Sequence, residues 1–263
     1  MKNIFLVITS LFVMLASAGF AQAADESNPI PAVSEAWRFE VTPYLWAPGI
    51  KGTLGLDNGL AKSADFTSTD VVNNLKSGGM ISAEAHKGQW GVMGDIVSAT
   101  LQKSGAIPVQ GGTATLGDKV TLQQTILTGL VTYTVLNNKD AYVDALLGVR
   151  AIYATATVNV NVVGTPYKAS IAKTSSTVDP IVGAKGRYRI ADSTWYLPFY
   201  ADIGSGGGTT NLTWQAMAGV GKTFNQLIDA SLTYRALYYD MKDGGVLQKT
   251  TMLGPQVAVT FKF

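Results

Sequence analysis

Residues 228–240 read IDASLTYRALYYD, and their apolar and polar side chains alternate with a period of two. Leu232 and Tyr234 fall on one side of an extended chain, whereas Asp229 and Arg235 fall on the other. Successive side chains of a strand point to opposite faces of a sheet. This stretch therefore predicts a β-strand with one apolar and one mostly polar face.

Two further stretches have the same pattern. In residues 195–203, Leu197 and Asp202 fall on different faces of the extended chain, and residues 178–189 also alternate between two faces. A water-soluble sandwich also alternates, since its apolar face turns into a core. Three features favour a membrane barrel. The predicted strands have about 9 to 22 residues, whereas soluble strands average about 5 to 6. The connections alternate in length, and aromatic residues lie near the strand ends, as in the interfacial girdles of membrane barrels. Those aromatic residues are Trp37, Phe39, Trp90, Tyr133, Trp195, Phe224, Phe261 and Phe263.

The composition restricts the class of protein. Of the 263 residues, 47% are hydrophobic and 14% are charged, against about 25% charged in typical soluble domains. Twenty Lys and Arg against eighteen Asp and Glu leave a net charge of +2, which is too small a surplus for nucleic-acid binding. There is no cysteine, so disulfide bonds cannot brace the fold in an oxidising compartment.

Residues 1–23 predict a cleaved signal peptide. Lys2 supplies a positive charge, and residues 4–16 form an apolar run that is shorter than the roughly 20 residues needed to cross a bilayer. Residues 21–23, Ala-Gln-Ala, have the small-x-small pattern of signal peptidase cleavage. A buried N-terminal helix is the alternative.

The mature chain is expected to begin at Ala24 and to form one domain. Residues 24–36 are expected to be a flexible periplasmic lead-in, and residues 37–263 a single β-barrel. Beyond Ala24 no apolar stretch approaches about 18 residues, so residence in a membrane requires a closed barrel.

The pattern predicts an all-β, transmembrane, antiparallel up-and-down barrel of about ten strands, with eight or twelve as alternatives. Connections after even-numbered strands are tight, as at residues 87–88 and 137–140, whereas those after odd-numbered strands are mostly longer, as at 57–78 and 104–118. Short periplasmic turns and longer outer loops produce this rhythm, and an even count leaves both termini in the periplasm. The predicted strands cover residues 37–56, 79–87, 89–103, 119–135, 141–162, 168–189, 194–204, 210–223, 227–240 and 248–263.

The first long connection contains a candidate helix at residues 70–76. Ser68 or Thr69 could cap it, and Asp70 falls in its first turn, where the helix dipole favours an anion. Two placements are open: a helix on a surface loop, or a helix folded into the barrel mouth as a gate.

The last strand carries a candidate assembly signal. Val257, Val259, Phe261 and Phe263 share one face of this strand. This alternating set resembles the C-terminal signal that the barrel-assembly machinery recognises in outer-membrane proteins. The resemblance implies that this machinery is a partner during biogenesis.

The segment from Trp37 to Leu54, WRFEVTPYLWAPGIKGTL, resembles the opening strand of a broad group of uncharacterised proteobacterial outer-membrane barrels. Residues 179–186 and 195–239, the latter with YRAL at 234–237, are similar to the same group. The resemblance covers most of the mature chain. It implies a small OmpA-like or OmpW-like barrel in the Gram-negative outer membrane, in contact with lipid and lipopolysaccharide, but it supplies no agreed substrate or site residues.

With the apolar faces directed outward, fourteen charged side chains point into the interior, seven acidic and seven basic, which predicts an electrically balanced lumen. If the connection between the fifth and sixth strands centres near Thr165, Asp144 falls opposite Arg187 and Arg150 falls close to Asp179. Such pairs reduce the desolvation cost of charges in a narrow interior. The lumen residues are Arg38, Glu40, Glu84, Asp95, Asp144, Arg150, Asp179, Lys185, Arg187, Arg189, Asp202, Asp229, Arg235 and Lys262.

Two functions fit such an interior. The first is a narrow porin-like channel in which the charges select small polar solutes, with Arg150, Asp179, Asp202 and Arg235 nearest the middle of the barrel. The alternative is a closed structural or adhesive barrel that presents its outer loops to a partner. Ten strands lie between filled barrels of about eight strands and open porins of about 16 or more.

The sequence predicts neither an enzyme nor a cofactor. His86 is the only histidine, and beside the predicted turn at residues 87–88 a solvated side chain is expected. One His and no Cys supply few ligands for a transition metal. Residues 204–208 lack the Lys and the helix of a phosphate-binding loop. No catalytic, cofactor-binding or metal residues are predicted.

Overall fold

The computed structural model describes residues 28–56, 61–108, 115–162, 168–206, 210–243 and 246–263. The predicted signal peptide and its cleavage site lie outside these residues. Within these ranges, no helix has the length and hydropathy needed to cross a bilayer.

The described residues form twelve β-segments and one short helix, α1, which spans Ser68–Asn73. The β-segments are β1 (Arg38–Trp46), β2 (Gly49–Leu56), β3 (Ala61–Phe66), β4 (Leu75–Lys87), β5 (Trp90–Pro108), β6 (Thr115–Asn137), β7 (Ala141–Val162), β8 (Lys168–Arg189), β9 (Trp195–Gly204), β10 (Thr210–Thr223), β11 (Ile228–Asp243) and β12 (Val246–Lys262).

These segments close into an antiparallel barrel of ten strands. β1 and β2 are one strand broken at Ala47 and Pro48, because both pair with β12. β3 and β4 form the next strand, broken by α1. The first and last strands meet where the backbones of Phe39 and Phe263 exchange hydrogen bonds of 3.2 and 2.9 Å. The predicted all-β antiparallel barrel of about ten strands is confirmed.

Several strands run further than expected. β4 begins at Leu75 instead of residue 79, and the predicted connection at 104–118 is strand as far as Pro108 and again from Thr115. The β5–β6 ladder is unbroken over this whole length. Hydrogen bonding to a neighbouring strand thus extends these strands beyond the residues in which apolar and polar side chains alternate. The alternation within one strand does not predict where such an extension ends.

α1 starts earlier than the predicted 70–76, and Thr67, not Ser68 or Thr69, is its N-cap. The Thr67 hydroxyl accepts a hydrogen bond from the Asp70 amide (3.1 Å), and the Asp70 carboxylate accepts one from the Thr67 amide (3.0 Å). The Thr67 hydroxyl also donates to the Asp70 carboxylate at 2.7 Å. This bond and the bond from the Thr67 amide lower the pKa of Asp70, because both stabilise its ionised form. Val71 is buried and faces the barrel mouth, so α1 does not lie out on a surface loop.

The outer face has an apolar band bounded by aromatic rings. At the end where β1 begins and β12 ends (the terminal end), Trp90 packs edge-on against Tyr133 with ring centroids 4.9 Å apart. Towards the opposite end, where α1 lies (the helix end), Trp214 stacks on Tyr238 at 6.1 Å. On β10, Trp214 is about eight residues from the level of Trp195, which is about 20 Å along the axis of a tilted barrel. This height suits the roughly 25 Å band of a membrane barrel.

The four residues of the candidate assembly signal lie on this outer face. Val257 and Phe263 are 55% and 72% exposed, while Val259 and Phe261 are half-buried. Their recognition by assembly machinery stays a prediction.

Candidate functional site: the charged barrel interior

All fourteen charged residues placed in the lumen by the sequence pattern are buried or half-buried. Twelve of them form ion pairs with another member of the set. Five of these pairs join strands that are not neighbours in the sheet. Arg189 instead donates to the backbone carbonyl of Ser193 in the neighbouring turn at 2.8 Å. Asp179 is fully buried and accepts a hydrogen bond from Thr177.

Near the terminal end, Arg187 is the centre of one cluster. Its guanidinium lies 3.0 Å from Glu40 on β1 and 2.8 Å from Asp229 on β11. Lys262 on β12 bonds the other oxygen of Asp229 at 2.7 Å. Arg38 lies 3.5 Å from Glu40. Three cationic and two anionic side chains from four strands therefore pair with one another inside this end of the barrel.

Glu84 on β4 is the centre of a second cluster at the same end. It is bonded to Lys185 on β8, and the Lys185 ammonium also lies 3.9 Å from Asp144. His86 Nε2 lies 3.2 Å from Glu84, and its Nδ1 lies 3.3 Å from the Tyr142 hydroxyl.

The expectation of a solvated turn histidine is wrong, because His86 is only 3% exposed. Even-numbered residues of β4 point inward, as buried Ser82 shows. The ladder between β4 and β5 continues to the pair formed by Lys87 and Trp90, so His86 stays inside the barrel.

The segment before the barrel is also held in place over residues 28–36, although a flexible lead-in was expected. Arg38 donates to the Ala32 carbonyl at 2.9 Å, and the Gly88 amide donates to the Ser34 carbonyl at 2.7 Å. Ile30 is buried and lines a cavity of about 520 Å³ at the terminal mouth. The segment thus narrows this entrance.

The middle of the barrel is crossed by a central layer, defined here as Tyr44, Asp95, Arg150, Asp202 and Arg235. Arg235 donates to Asp95 at 3.1 Å and to the Tyr44 hydroxyl at 2.9 Å. The Tyr44 hydroxyl in turn donates to Asp95 at 2.6 Å. Arg150 is bonded to Asp202. All five side chains are at most 6% exposed.

Gln215 joins the two halves of the central layer. It accepts a hydrogen bond from Arg235 at 2.8 Å, and it pairs in register with Asp202 across β9 and β10. The Arg235 guanidinium also lies over the Trp46 ring at 4.9 Å from its centroid. These contacts bind charged, amide and aromatic groups into one cross-section of the interior.

The register of β7 and β8 corrects one predicted pair. Arg150 is directly opposite Asp179, as expected, but Asp144 is opposite Lys185 rather than Arg187. In an unbroken antiparallel ladder, each step forward on one strand is a step back on the other. The pair Arg150 and Asp179 therefore places Asp144 opposite Lys185 and not opposite Arg187. Arg187 is left free to reach across the barrel to Glu40.

Two separate cavities lie on either side of the central layer. The polar cavity has a volume of about 150 Å³ and is lined by Glu40, Glu84, Lys185 and Arg187 among others. The apolar cavity has a volume of about 190 Å³ and lies beneath α1. Among the described residues the two cavities share no lining residue, and Tyr44, Asp95 and Arg235 of the central layer line the polar cavity.

The sequence pattern missed the apolar contents of the interior. Ile126, Ile152 and Leu237 point inward and are completely buried, together with Tyr239 at 1% exposure. The only feature of the sequence that could have predicted their inward direction was their position on the same strand face as charged residues. Leu237, for example, comes two residues after Arg235. No group of three or more His, Cys, Asp or Glu in the described ranges is placed to hold a metal.

Comparison with solved structures finds outer-membrane barrels. The outer membrane protease OmpT from Escherichia coli has a TM-score of 0.57 at 8% sequence identity, covering 90% of this chain and 100% of that chain. The translocator domain of the autotransporter NalP from Neisseria meningitidis has a TM-score of 0.40 at 11% identity, covering 99% and 96%. The attachment invasion locus protein Ail of Yersinia pestis has a TM-score of 0.34 at 12% identity, covering 87% and 99%. No family model and no curated protein matches the chain.

The similarity to OmpT is one of fold. At 8% identity it carries no catalytic role to this chain. The chain is a small β-barrel of the outer-membrane type, consistent with the expected OmpA-like or OmpW-like barrel.

Proposed function

We propose that this protein is a non-enzymatic barrel of the Gram-negative outer membrane whose lumen is held closed by the central layer. In this proposal both termini face the periplasm, the apolar band contacts lipid and lipopolysaccharide, and the barrel-assembly machinery inserts the chain. The barrel then serves the envelope as a structural or adhesive element that presents its helix end outward, instead of as an open pore.

The observation that carries the proposal is the separation of the two cavities by paired, buried charges. Breaking a buried pair such as Arg235 and Asp95 costs about 3–5 kcal/mol. That cost applies when one partner is removed and the other charge stays buried and unpaired, so the paired arrangement is the favoured resting state. Passive diffusion through the resting barrel is therefore disfavoured.

A narrow porin-like channel for small polar solutes is the second candidate. The cavity at the terminal mouth and the polar cavity share Arg38, Glu40 and Arg187 as lining residues. A small polar solute entering from that side has a charged route as far as the central layer, and a rearrangement of Arg235 is then needed for passage.

Planar-bilayer conductance separates the two candidates. The wild-type protein is expected to give no discrete conductance steps, whereas Arg235→Ala is expected to give them, because it removes the side chain that bonds Tyr44, Asp95 and Gln215. Arg189→Ala is the matched control, since this half-buried arginine serves a turn outside the central layer. Discrete steps from the wild-type protein, lost or shifted in Arg150→Ala, would instead establish the pore.

A further inference from the structure

We infer that the apolar cavity at the helix end is a binding site for a small uncharged hydrocarbon, the size of one substituted benzene ring or a short alkyl chain. Its walls include Trp46, Phe66, Val71, Met80, Leu101 and Met252. They come from both sides of the break between β3 and β4, from α1, and from β1, β5 and β12.

The volume and the chemistry of the walls agree on this class of ligand. The cavity measures about 190 Å³, and none of the described residues that line it is charged. Engineered apolar cavities of about 150 Å³ remain dry and bind benzene. The space beneath α1 is therefore large enough for one ring with a small substituent.

The few polar groups at the cavity bond one another. Gln124 donates to the Tyr239 hydroxyl at 3.1 Å, and Gln248 donates to the same hydroxyl at 3.4 Å. Ordered water needs about two to four polar partners, and these groups are already engaged. A hydrocarbon, by contrast, gains dispersion contacts with walls that otherwise face empty space.

A route to the cavity avoids the charged interior. Among the described residues, β3 pairs with β2 only, so β3 and β5 form no ladder and the sheet has an edge at this height. α1 lies beside this interruption, and the Gln102 amide bonds the Asn74 carbonyl at 2.8 Å. An apolar molecule that enters beside α1 reaches the cavity without passing Arg235.

Methionine methyl NMR in lipid nanodiscs tests the site on the wild-type protein. Met80 and Met252 line the apolar cavity, whereas Met93 and Met217 line the polar cavity. Toluene and n-heptane, titrated separately, are expected to shift the first pair saturably and to leave the second pair unshifted. Saturation by toluene alone assigns a ring, and saturation by heptane assigns a chain. Shifts that are absent, or linear and equal at all four methyls, overturn the inference.

Filling the cavity gives a second test. Ala99 lines the cavity, and Ala99→Phe is expected to weaken binding at least about tenfold by occupying the space. Ala216→Phe, which adds the same ring to an exposed outer position, is expected to bind like the wild type. If Ala99→Phe does not fold, Gly52→Leu fills the cavity from another wall. Among the described residues, a Cβ at Gly52 meets nothing closer than 3.8 Å. Unchanged affinity in a folded filling variant overturns the inference.

A charged analogue tests the chemistry of the ligand. Octanoate has a chain of similar size, but its carboxylate would be buried without a cationic partner among the described lining residues. It is expected to bind at least about tenfold more weakly than heptane, and equal binding contradicts an uncharged site. All of these measurements are independent of conductance, so a conducting barrel leaves this inference intact.

Discussion

Arg235 and Asp95 are 140 residues apart in sequence and face each other across the barrel, with 3.1 Å between the Arg235 Nη2 and Asp95 Oδ2 atoms. Their strands, β11 and β5, are not neighbours in the sheet. The pair therefore spans the lumen instead of bracing adjacent strands.

The first prediction concerns the stability of this pair. Arg235→Ala leaves Asp95 as an uncompensated buried charge and is expected to lower the free energy of unfolding by about 3–5 kcal/mol. The double variant Arg235→Met with Asp95→Leu is expected to recover most of this loss, because neither charge then remains. Urea titration of the folded barrel in lipid vesicles measures both. A double variant as unstable as Arg235→Ala contradicts the argument.

The second prediction tests the faces of β11. Leu232 is 54% exposed on the outer face, while Thr233 is 4% exposed and points inward. Leu232→Arg near the middle of the membrane is expected to cost about 2–4 kcal/mol of insertion free energy. Thr233→Arg is expected to alter the lumen more than it alters the insertion of the barrel into the membrane. Equal defects of the two variants in a vesicle-insertion assay are incompatible with the assigned faces.

The third prediction concerns two neighbouring glycines on β6 and β7. A Cβ at Gly148 would lie 2.0 Å from the Gly129 carbonyl oxygen, whereas a Cβ at Gly129 would meet nothing within 4 Å. Gly148→Ala must push the strands apart and is expected to destabilise the barrel by about 1–3 kcal/mol. Gly129→Ala is expected to be tolerated, which makes it the matched control. Comparable thermal unfolding of the two variants would show that the backbones are not in such close contact.

The fourth prediction is an acid-sensitive end of α1. The pKa of Asp70 lies below its ordinary value of 3.8, because Thr67 hydrogen-bonds the carboxylate. The ionised Asp70 therefore stabilises the helix start above its unfolded pKa, and this contribution is lost as the pH falls through the lowered pKa.

Hydrogen exchange at the Val71 and Asn74 amides, which bond Thr67 and Asp70, measures this effect. Corrected for intrinsic rates, their protection is expected to fall in acid in the wild type. Asp70→Asn is expected to show weaker protection with no such dependence on acid. The same acid response in Asp70→Asn would assign the titration to another group.

The faces of the strands were predictable from sequence because alternation is local. Leu232 and Arg235 need only the geometry of one extended strand to be assigned to opposite sides. The same rule placed all fourteen charged residues away from the outer face. The C-terminal residues Val257 and Phe263 were assigned to one face by the same argument.

The fate of His86 and the course of α1 were not predictable in this way. A histidine one residue before a turn is buried if the ladder of its strand continues past it and solvated if the ladder ends before it. For His86 the length of the ladder depends on pairing with β5. The capping choice at Thr67 depends on where β3 ends, which is set by its pairing with β2.

The sequence by itself determined the all-β class, the period of the strands and the side of the sheet on which each residue lies. Only the tertiary structure decided which inward residues meet: Arg235 with Asp95, Arg187 with Glu40, and Leu237 with the apolar residues that cluster around it. The physical reason is the stagger of a closed barrel. Strand tilt and register set the height of each side chain along the axis, and height, unlike face, is a property of all the strands together.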